Sequence, residues 1–171
     1  MKGAIFFSGK YGSTAQYSQW ISEATGLPVF DIKDTGADPA QYDFLVLGSS
    51  ILYFRLSNRK WVKENLSTLE GRAKVLFSVS GAGPGNPLNN WVAKSIPAAL
   101  LSRMEHVGLR GKPDHSQVSW FVKIILWMGS LFNPSPEGRR DERHGFDYMD
   151  KASIAPIVKL VEQLQQSEVT E

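Results

Sequence analysis

The sequence predicts an α/β protein: a doubly wound, five-stranded parallel sheet with helices on both faces. Short runs of continuous apolar residues alternate with longer stretches whose apolar residues recur at helical spacing. The former read as strands buried on both sides, the latter as amphipathic helices. Strand and helix in alternation imply βαβ crossovers and therefore parallel strands. A further observation points the same way. Gly- and Ser-rich joints follow the first, third and fourth apolar runs, and open α/β sheets bind ligands at such joints, outside the carboxyl ends of their strands.

The elements follow in order. Gly3 to Ser8 is the first strand. Ser13 to Thr25 is a helix with Ala15, Tyr17, Trp20, Ile21 and Ala24 at helical spacing, and Gly26 is its stop signal. Pro28 to Ile32 is a second strand and Phe44 to Ser49 a third. A helix over Asn58 to Leu69 turns Trp61, Val62, Leu66 and Leu69 inward. Lys74 to Ser80 is the fourth strand, and Leu88 to Met104 a helix that Pro97 must kink or split. His106 to Leu109 is a weak fifth strand. Ile154 to Gln165 is the last helix, capped by Asp150 or Ser153, with Pro156 tolerated in its first turn. The expectation is one domain over 1–171, with an apolar helical insert at about 117–132 and an irregular loop at about 133–149.

Composition narrows the function. A chain of 171 residues suffices for one core, and 42% hydrophobic with 21% charged residues is a globular balance. A net charge of +2 is too mild to argue for nucleic acid, and the chain is no strongly acidic electron carrier. With no cysteine, disulfides, thiolate nucleophiles and cysteine-held iron–sulfur clusters are excluded. Met1 to Phe7 carries one positive charge and an apolar run too short for an export signal, so a cytoplasmic location is expected. His106, His115 and His144 have no metal-ligand spacing, and no Ser/His/Asp constellation or other catalytic side chain stands out.

The informative segment is Ser8-Gly9-Lys10-Tyr11-Gly12-Ser13-Thr14, between the first strand and the first helix. Such a turn brings free backbone N–H groups and a helix amino terminus to one point, which attracts a phosphate. Glycines let the chain wrap closely, and the hydroxyls of Ser8, Ser13 and Thr14 can donate to phosphate oxygens. The loop lacks the Gly-Lys-Ser/Thr of a P-loop and the G-x-G-x-x-G of a dinucleotide site. A phosphomonoester such as FMN suits it; a plain cap of the first helix uses the same residues. Two more loops would lie beside it. The third strand leads into Ser49, Ser50, Ile51, Leu52, Tyr53 and Phe54, where Tyr53 can stack on a flat ring and Phe54 is expected to pack inward. The fourth leads into Ser80, Gly81, Ala82, Gly83 and Gly85, whose small side chains admit a close backbone approach.

These residues give the chain a resemblance to the flavodoxin superfamily, and within it to the menaquinone-dependent protoporphyrinogen oxidase group. It is carried by Phe7-Ser8 through Gly12-Ser13-Thr14, by Tyr42-Asp43 leading into Val46 to Ile51 and Tyr53, and by the segment Trp120 to Met128. The resemblance implies a flavodoxin-like sheet holding FMN without a covalent link. Ser8, Lys10, Tyr11, Gly12, Ser13 and Thr14 would hold the phosphate; Ser49 to Tyr53 and Ser80 to Gly85 would flank the isoalloxazine. Two departures stand out: the second ring-flanking loop has no aromatic residue before Trp91, and Lys10 is unusual in a phosphate loop built on neutral donors.

Residues 118–132 are the most apolar stretch, interrupted only by Ser119, Lys123, Gly129 and Ser130. The stretch is too short to span a bilayer. It reads either as core packing with a homodimer contact, or as a platform for a quinone, a porphyrin or a membrane surface, giving peripheral membrane association. Arg55, Arg59, Lys60, Lys63, Arg110 and Lys112 can guide an acidic partner or propionate groups, though Lys60 and Lys63 read first as a solvated helix face. Three functions follow. The first is an FMN-dependent electron carrier for a redox partner protein or small hydrophobic substrate. The second is a protoporphyrinogen oxidase-like enzyme passing electrons to a quinone. The third is a noncatalytic module for another phosphorylated ligand.

Overall fold

Five parallel strands form the sheet in the computed structural model, which describes residues 1–9, 12–34, 36–111 and 149–167. They are β1 (Gly3–Ser8), β2 (Val29–Asp31), β3 (Phe44–Leu52), β5 (Ala73–Ser80) and β6 (Glu105–Arg110); β4 (Arg55–Leu56) is a short antiparallel addition to β3. The order is β2-β1-β3-β5-β6. From β1 the chain steps outward to β2, then returns to the other side of β1 for β3. At that reversal the crossovers diverge and a crevice opens at the carboxyl ends of β1 and β3.

The alternation of side chains along each strand divides the core in two. On one face, α1 (Ser13–Thr25) and α6 (Ala155–Gln166) lay Tyr17, Ile21, Ile157 and Val161 against Ile5, Val46, Val75 and Phe77. On the other, α2 (Arg59–Glu64), α3 (Leu66–Arg72), α4 (Asn86–Ala93) and α5 (Ala98–Leu101) lay Val62, Leu69, Val92 and Leu100 against Phe6, Leu47 and Leu76. Gly48 faces α1 with no room for a side chain, because a Cβ there would collide with the Phe77 ring.

The structure corrects several sequence-based boundaries. β3 does not stop at Ser49 but runs on to Leu52, because Ile51 and Leu52 pair with Leu56 and Arg55 and the Ser57 N–H donates to the Ser50 carbonyl at 2.9 Å. The helix expected over 58–69 is two helices. Asn65 stands at the junction, with both its backbone N–H, at 3.0 Å, and its side-chain amide, at 2.9 Å, donating to the Trp61 carbonyl. Trp61 and Leu66 nonetheless pack on the core that holds Val62 and Leu69. The helix expected over 88–104 is split, as Pro97 led one to expect, but its two pieces run over Asn86–Ala93 and Ala98–Leu101, with Pro97 as the cap of the second. β2 is shorter than expected, and β6 longer at both ends. Neither Asp150 nor Ser153 caps the last helix: Ile154 holds that position without a side-chain bond, while the Asp150 carboxylate accepts the Ala152 N–H at 2.9 Å and opens a 3-10 turn, Lys151–Ile154, ahead of α6. The apolar insert at 117–132 and the loop at 133–149, Met149 apart, lie outside the described residues.

Candidate functional site

Three chain segments meet at the carboxyl edge of the sheet. The first runs from β1 into α1. Gly12 occupies the cap position at φ 83°, a conformation that disfavours any residue with a Cβ, and it offers no side chain to the first N–H groups of α1. Gly9 is drawn against the helix: a Cβ there would lie 2.7 Å from Thr14 Cβ. Thr14 itself is buried, as is Ser13. This geometry leaves the positive end of a 13-residue helix facing the crevice. Lys10 and Tyr11 lie outside the described residues.

The second segment surrounds the end of β3. Ser8 and Ser49 are partners in register on neighbouring strands. A residue the sequence did not single out joins them. Ser57 Oγ donates to the Ser8 carbonyl at 3.0 Å and lies 3.2 Å from both Ser8 Oγ and Ser49 Oγ, while Ser50 Oγ donates to it at 3.1 Å. The hydroxyls of Ser8, Ser49 and Ser50 are thus gathered into one cluster, and Ser49 is fully buried. Next to it, the Asn58 N–H donates to Ser49 Oγ at 3.3 Å, yet Asn58 Nδ2 and Oδ1 are buried without a partner.

Beyond Leu52 the chain turns in two residues, Tyr53 and Phe54, at φ 49° and 61°. Two successive positive φ values make the tight turn that matches strand twist in a hairpin. It is normally built from Asn and Gly; here it carries two aromatic rings, 64% and 67% exposed. Phe54 therefore does not pack inward as expected. Its ring rests against Trp91 of α4, 5.3 Å between centroids.

The third segment is the end of β5. The Ser80 carbonyl accepts the Gly111 N–H at 3.2 Å and the Gly83 N–H at 3.4 Å, whereas Ser80 Oγ is buried without a partner. Gly83, at φ 71°, lies under the Arg110 side chain, where a Cβ would collide with Nε. Gly81 and Ala82 are exposed, and Gly85 caps α4 with no side chain of its own. Gly111 sits so close to α1 that a Cβ on it would lie 3.3 Å from Ser13 Cβ. Buried Tyr17 secures this junction, donating its hydroxyl to the Arg110 carbonyl at 2.7 Å and accepting the Asp150 N–H at 3.2 Å. The first and third segments are therefore brought together, with the hydroxyl cluster beside them.

A family of known proteins shares this sequence pattern: the Flavodoxin domain matches the chain over residues 4–133. The chain belongs to the flavodoxin domain family. Solved structures agree in fold. An archaeal flavodoxin superposes with a TM-score of 0.50 at 13% identity, covering 95% of this chain and 99% of its own. The Trp repressor binding protein of Bacillus subtilis gives 0.51 at 12% identity, covering 87% and 99%. The two-electron reduced flavodoxin of Megasphaera elsdenii gives 0.50 at 14% identity, covering 90% and 99%. No curated protein matches the sequence.

Away from the crevice, this flavodoxin domain carries, among its described residues, one perturbed titratable group. His106 Nε2 lies 2.8 Å from buried Ser78 Oγ and borders an open cavity of about 490 Å³ with Asn89, Asn90, Leu101 and Met104. Burial lowers its pKa from the ordinary 6.5. The unfolded chain then takes up this proton at a higher pH than the folded protein does. The contribution of His106 to stability is complete above pH 6.5 and is lost as the pH falls from there through the lower folded value. His106→Gln should therefore flatten the fall in urea midpoint just below pH 6.5; an unchanged slope would show that the imidazole is not desolvated. Among the described residues, no group of His, Asp and Glu is arranged to hold a metal, and no helix is long and apolar enough to cross a membrane.

Proposed function

We propose that the protein binds FMN without a covalent link in the crevice at the carboxyl edge and serves as a redox carrier. The observation that carries this reading is the meeting of the open amino terminus of α1 with the end of β5, where Ser80 Oγ is buried and unpartnered. The residues fit the group. A phosphate monoester needs N–H donors at a positive helix end, and Gly12, Ser13 and Thr14 stand there; Ser8, Lys10 and Tyr11 of the same loop would complete the cradle. A flat, polar-edged ring needs an aromatic face and close backbone donors. Tyr53, at the end of the Ser49–Tyr53 stretch, would supply the first, and Ser80 to Gly85 the second. When bound, the flavin supplies reversible one- and two-electron transfer. The small residues Gly81 and Ala82 keep side chains away from the ring edge, and the exposed hairpin tip leaves that edge open to a partner.

The visible spectrum of the purified protein tests the reading. Flavin bands and a released chromophore with the mass of FMN are expected; a colourless protein that takes up no added FMN would overturn it, leaving a module for another phosphorylated ligand. Thr14→Val keeps the side-chain volume but removes a hydroxyl. Losing one hydrogen bond to a charged phosphate, about 1.5–3 kcal/mol, should weaken FMN binding at least tenfold. Unchanged affinity would remove Thr14 from the site.

A second reading is an enzyme of the menaquinone-dependent protoporphyrinogen oxidase type, passing electrons to a quinone. It is favoured by the apolar sequence of 118–132, which suits a lipid-soluble reactant or a membrane surface. Turnover of protoporphyrinogen with a quinone separates it from the carrier.

A further inference from the structure

The charge on this chain is unevenly spread. Residues 44–104 hold eight Lys and Arg against two Glu, while the rest holds eleven basic against fifteen acidic residues. Folding turns this stretch of sequence into a face, because α2, α3, α4 and α5 all pack on the same side of the sheet. Arg55, Arg59, Lys60, Lys63 and Lys94 are all exposed there, with Lys60 paired to Glu64 at 3.6 Å. The hairpin tip belongs to the same face. Leu56 N–H donates to Ser95 Oγ at 3.0 Å, Arg55 donates to the Lys94 carbonyl at 3.4 Å, and Phe54 rests on Trp91. Aromatic rings and cations are thereby joined in one surface.

The tip is also strained. A left-handed conformation costs a residue with a Cβ roughly 1 kcal/mol or more, and two in a row are retained where the rings gain little from burial. Exposed aromatic residues with arginine beside them are the usual anchors of protein interfaces, and surrounding charge selects the partner and speeds encounter.

We infer that Phe54 and Trp91, with Arg55, Arg59, Lys63 and Lys94 around them, form the docking surface for an acidic redox protein. The inference rests on the FMN reading, since it places the partner beside the ring edge that reading leaves open. The surface inverts the charge of an acidic electron carrier: here the carrier is basic and its partner acidic.

The test is a calorimetric titration of the full chain with an acidic plant-type [2Fe–2S] ferredoxin as probe and basic cytochrome c as counter-probe. It is run at about 10 mM and about 150 mM salt, where the screening length is roughly 30 Å and 8 Å. Ferredoxin should bind at low salt and lose at least tenfold in affinity at high salt, and cytochrome c should not bind. The triple variant Arg59→Glu, Lys63→Glu, Lys94→Glu should lose at least tenfold, and Phe54→Ser severalfold with the salt dependence kept. Circular dichroism confirms that each variant is folded, and Arg59→Glu alone serves if the triple variant is not. Ferredoxin that fails to bind, ferredoxin that binds the charge-reversed variant equally well, or cytochrome c that binds as tightly would each overturn the surface. So would tighter binding to vesicles of anionic lipid, which would make it a membrane contact. FMN uptake is read separately by absorbance. Its absence with ferredoxin binding intact sinks the cofactor reading alone, and the converse sinks the surface alone.

Discussion

Gly9→Ala should lower FMN affinity about a hundredfold and leave the fold standing. The added Cβ would lie 2.7 Å from Thr14 Cβ and 2.8 Å from its Oγ1, closer than packed atoms tolerate. Thr14 cannot give way easily. It is 1% exposed, its carbonyl accepts Ser18 Oγ at 2.8 Å, and the turn it sits in is closed by Gln16 N–H to the Gly12 carbonyl at 2.9 Å. The loop must move instead, and with it the donors that face the phosphate. Losing two such charge-assisted bonds in part is worth roughly 2.7 kcal/mol, which is the hundredfold. The core beneath, with Ile5 and Tyr17 fully buried, is untouched, so the urea midpoint should shift little. Gly12→Ala makes the useful contrast. Nothing lies within 4 Å of a Cβ there, but the φ of 83° penalises one, so it should cost stability of roughly 1 kcal/mol. A fluorescence titration with FMN reads the affinities. If Gly9→Ala binds FMN as tightly as the parent, the loop after β1 does not hold the phosphate.

How far the sequence could be read depends on how local each signal is. β1 and α1 are legible to the residue because everything that defines them is adjacent. An unbroken apolar run makes the strand, and Gly26, whose N–H donates to the Ser22 carbonyl at 2.8 Å, ends the helix in a left-handed turn. The three loops of the candidate site were legible for the same reason, since the carboxyl ends of the strands could be placed. What could not be read depends on pairing across the chain. Ser57 acts on Ser8, 49 residues away, and no local pattern announces a hydroxyl hub. Tyr17 looks like one more apolar position of α1, yet its hydroxyl ties the end of β6 to Asp150. The hairpin after β3 was hidden by its own composition, for Leu-Tyr-Phe-Arg contains none of the residues that normally make a two-residue turn.

That same composition gives the second large effect. The double variant Tyr53→Asn, Phe54→Gly should raise thermal stability while it weakens binding. Asn-Gly is the pair that adopts two successive positive φ values most readily, and relieving the strain at both positions contributes roughly 2 kcal/mol. Two terms oppose it. Glycine frees the unfolded chain by about 0.4–1 kcal/mol, and the ring contact of Phe54 with Trp91 is lost, a small loss for a ring that is 67% exposed. The net of about 1 kcal/mol corresponds to a rise in Tm of about 2–4 °C for a chain of this size. The functional consequence runs the other way. Without the Tyr53 ring FMN should bind more weakly, and without Phe54 the ferredoxin probe should as well. A scanning calorimetry trace beside the two titrations decides the matter. A variant that is more stable and binds less shows that the strained aromatic tip is kept for contact. A less stable variant shows that packing already compensates the two φ angles, and the argument from strain then fails even if the charged surface survives its own test.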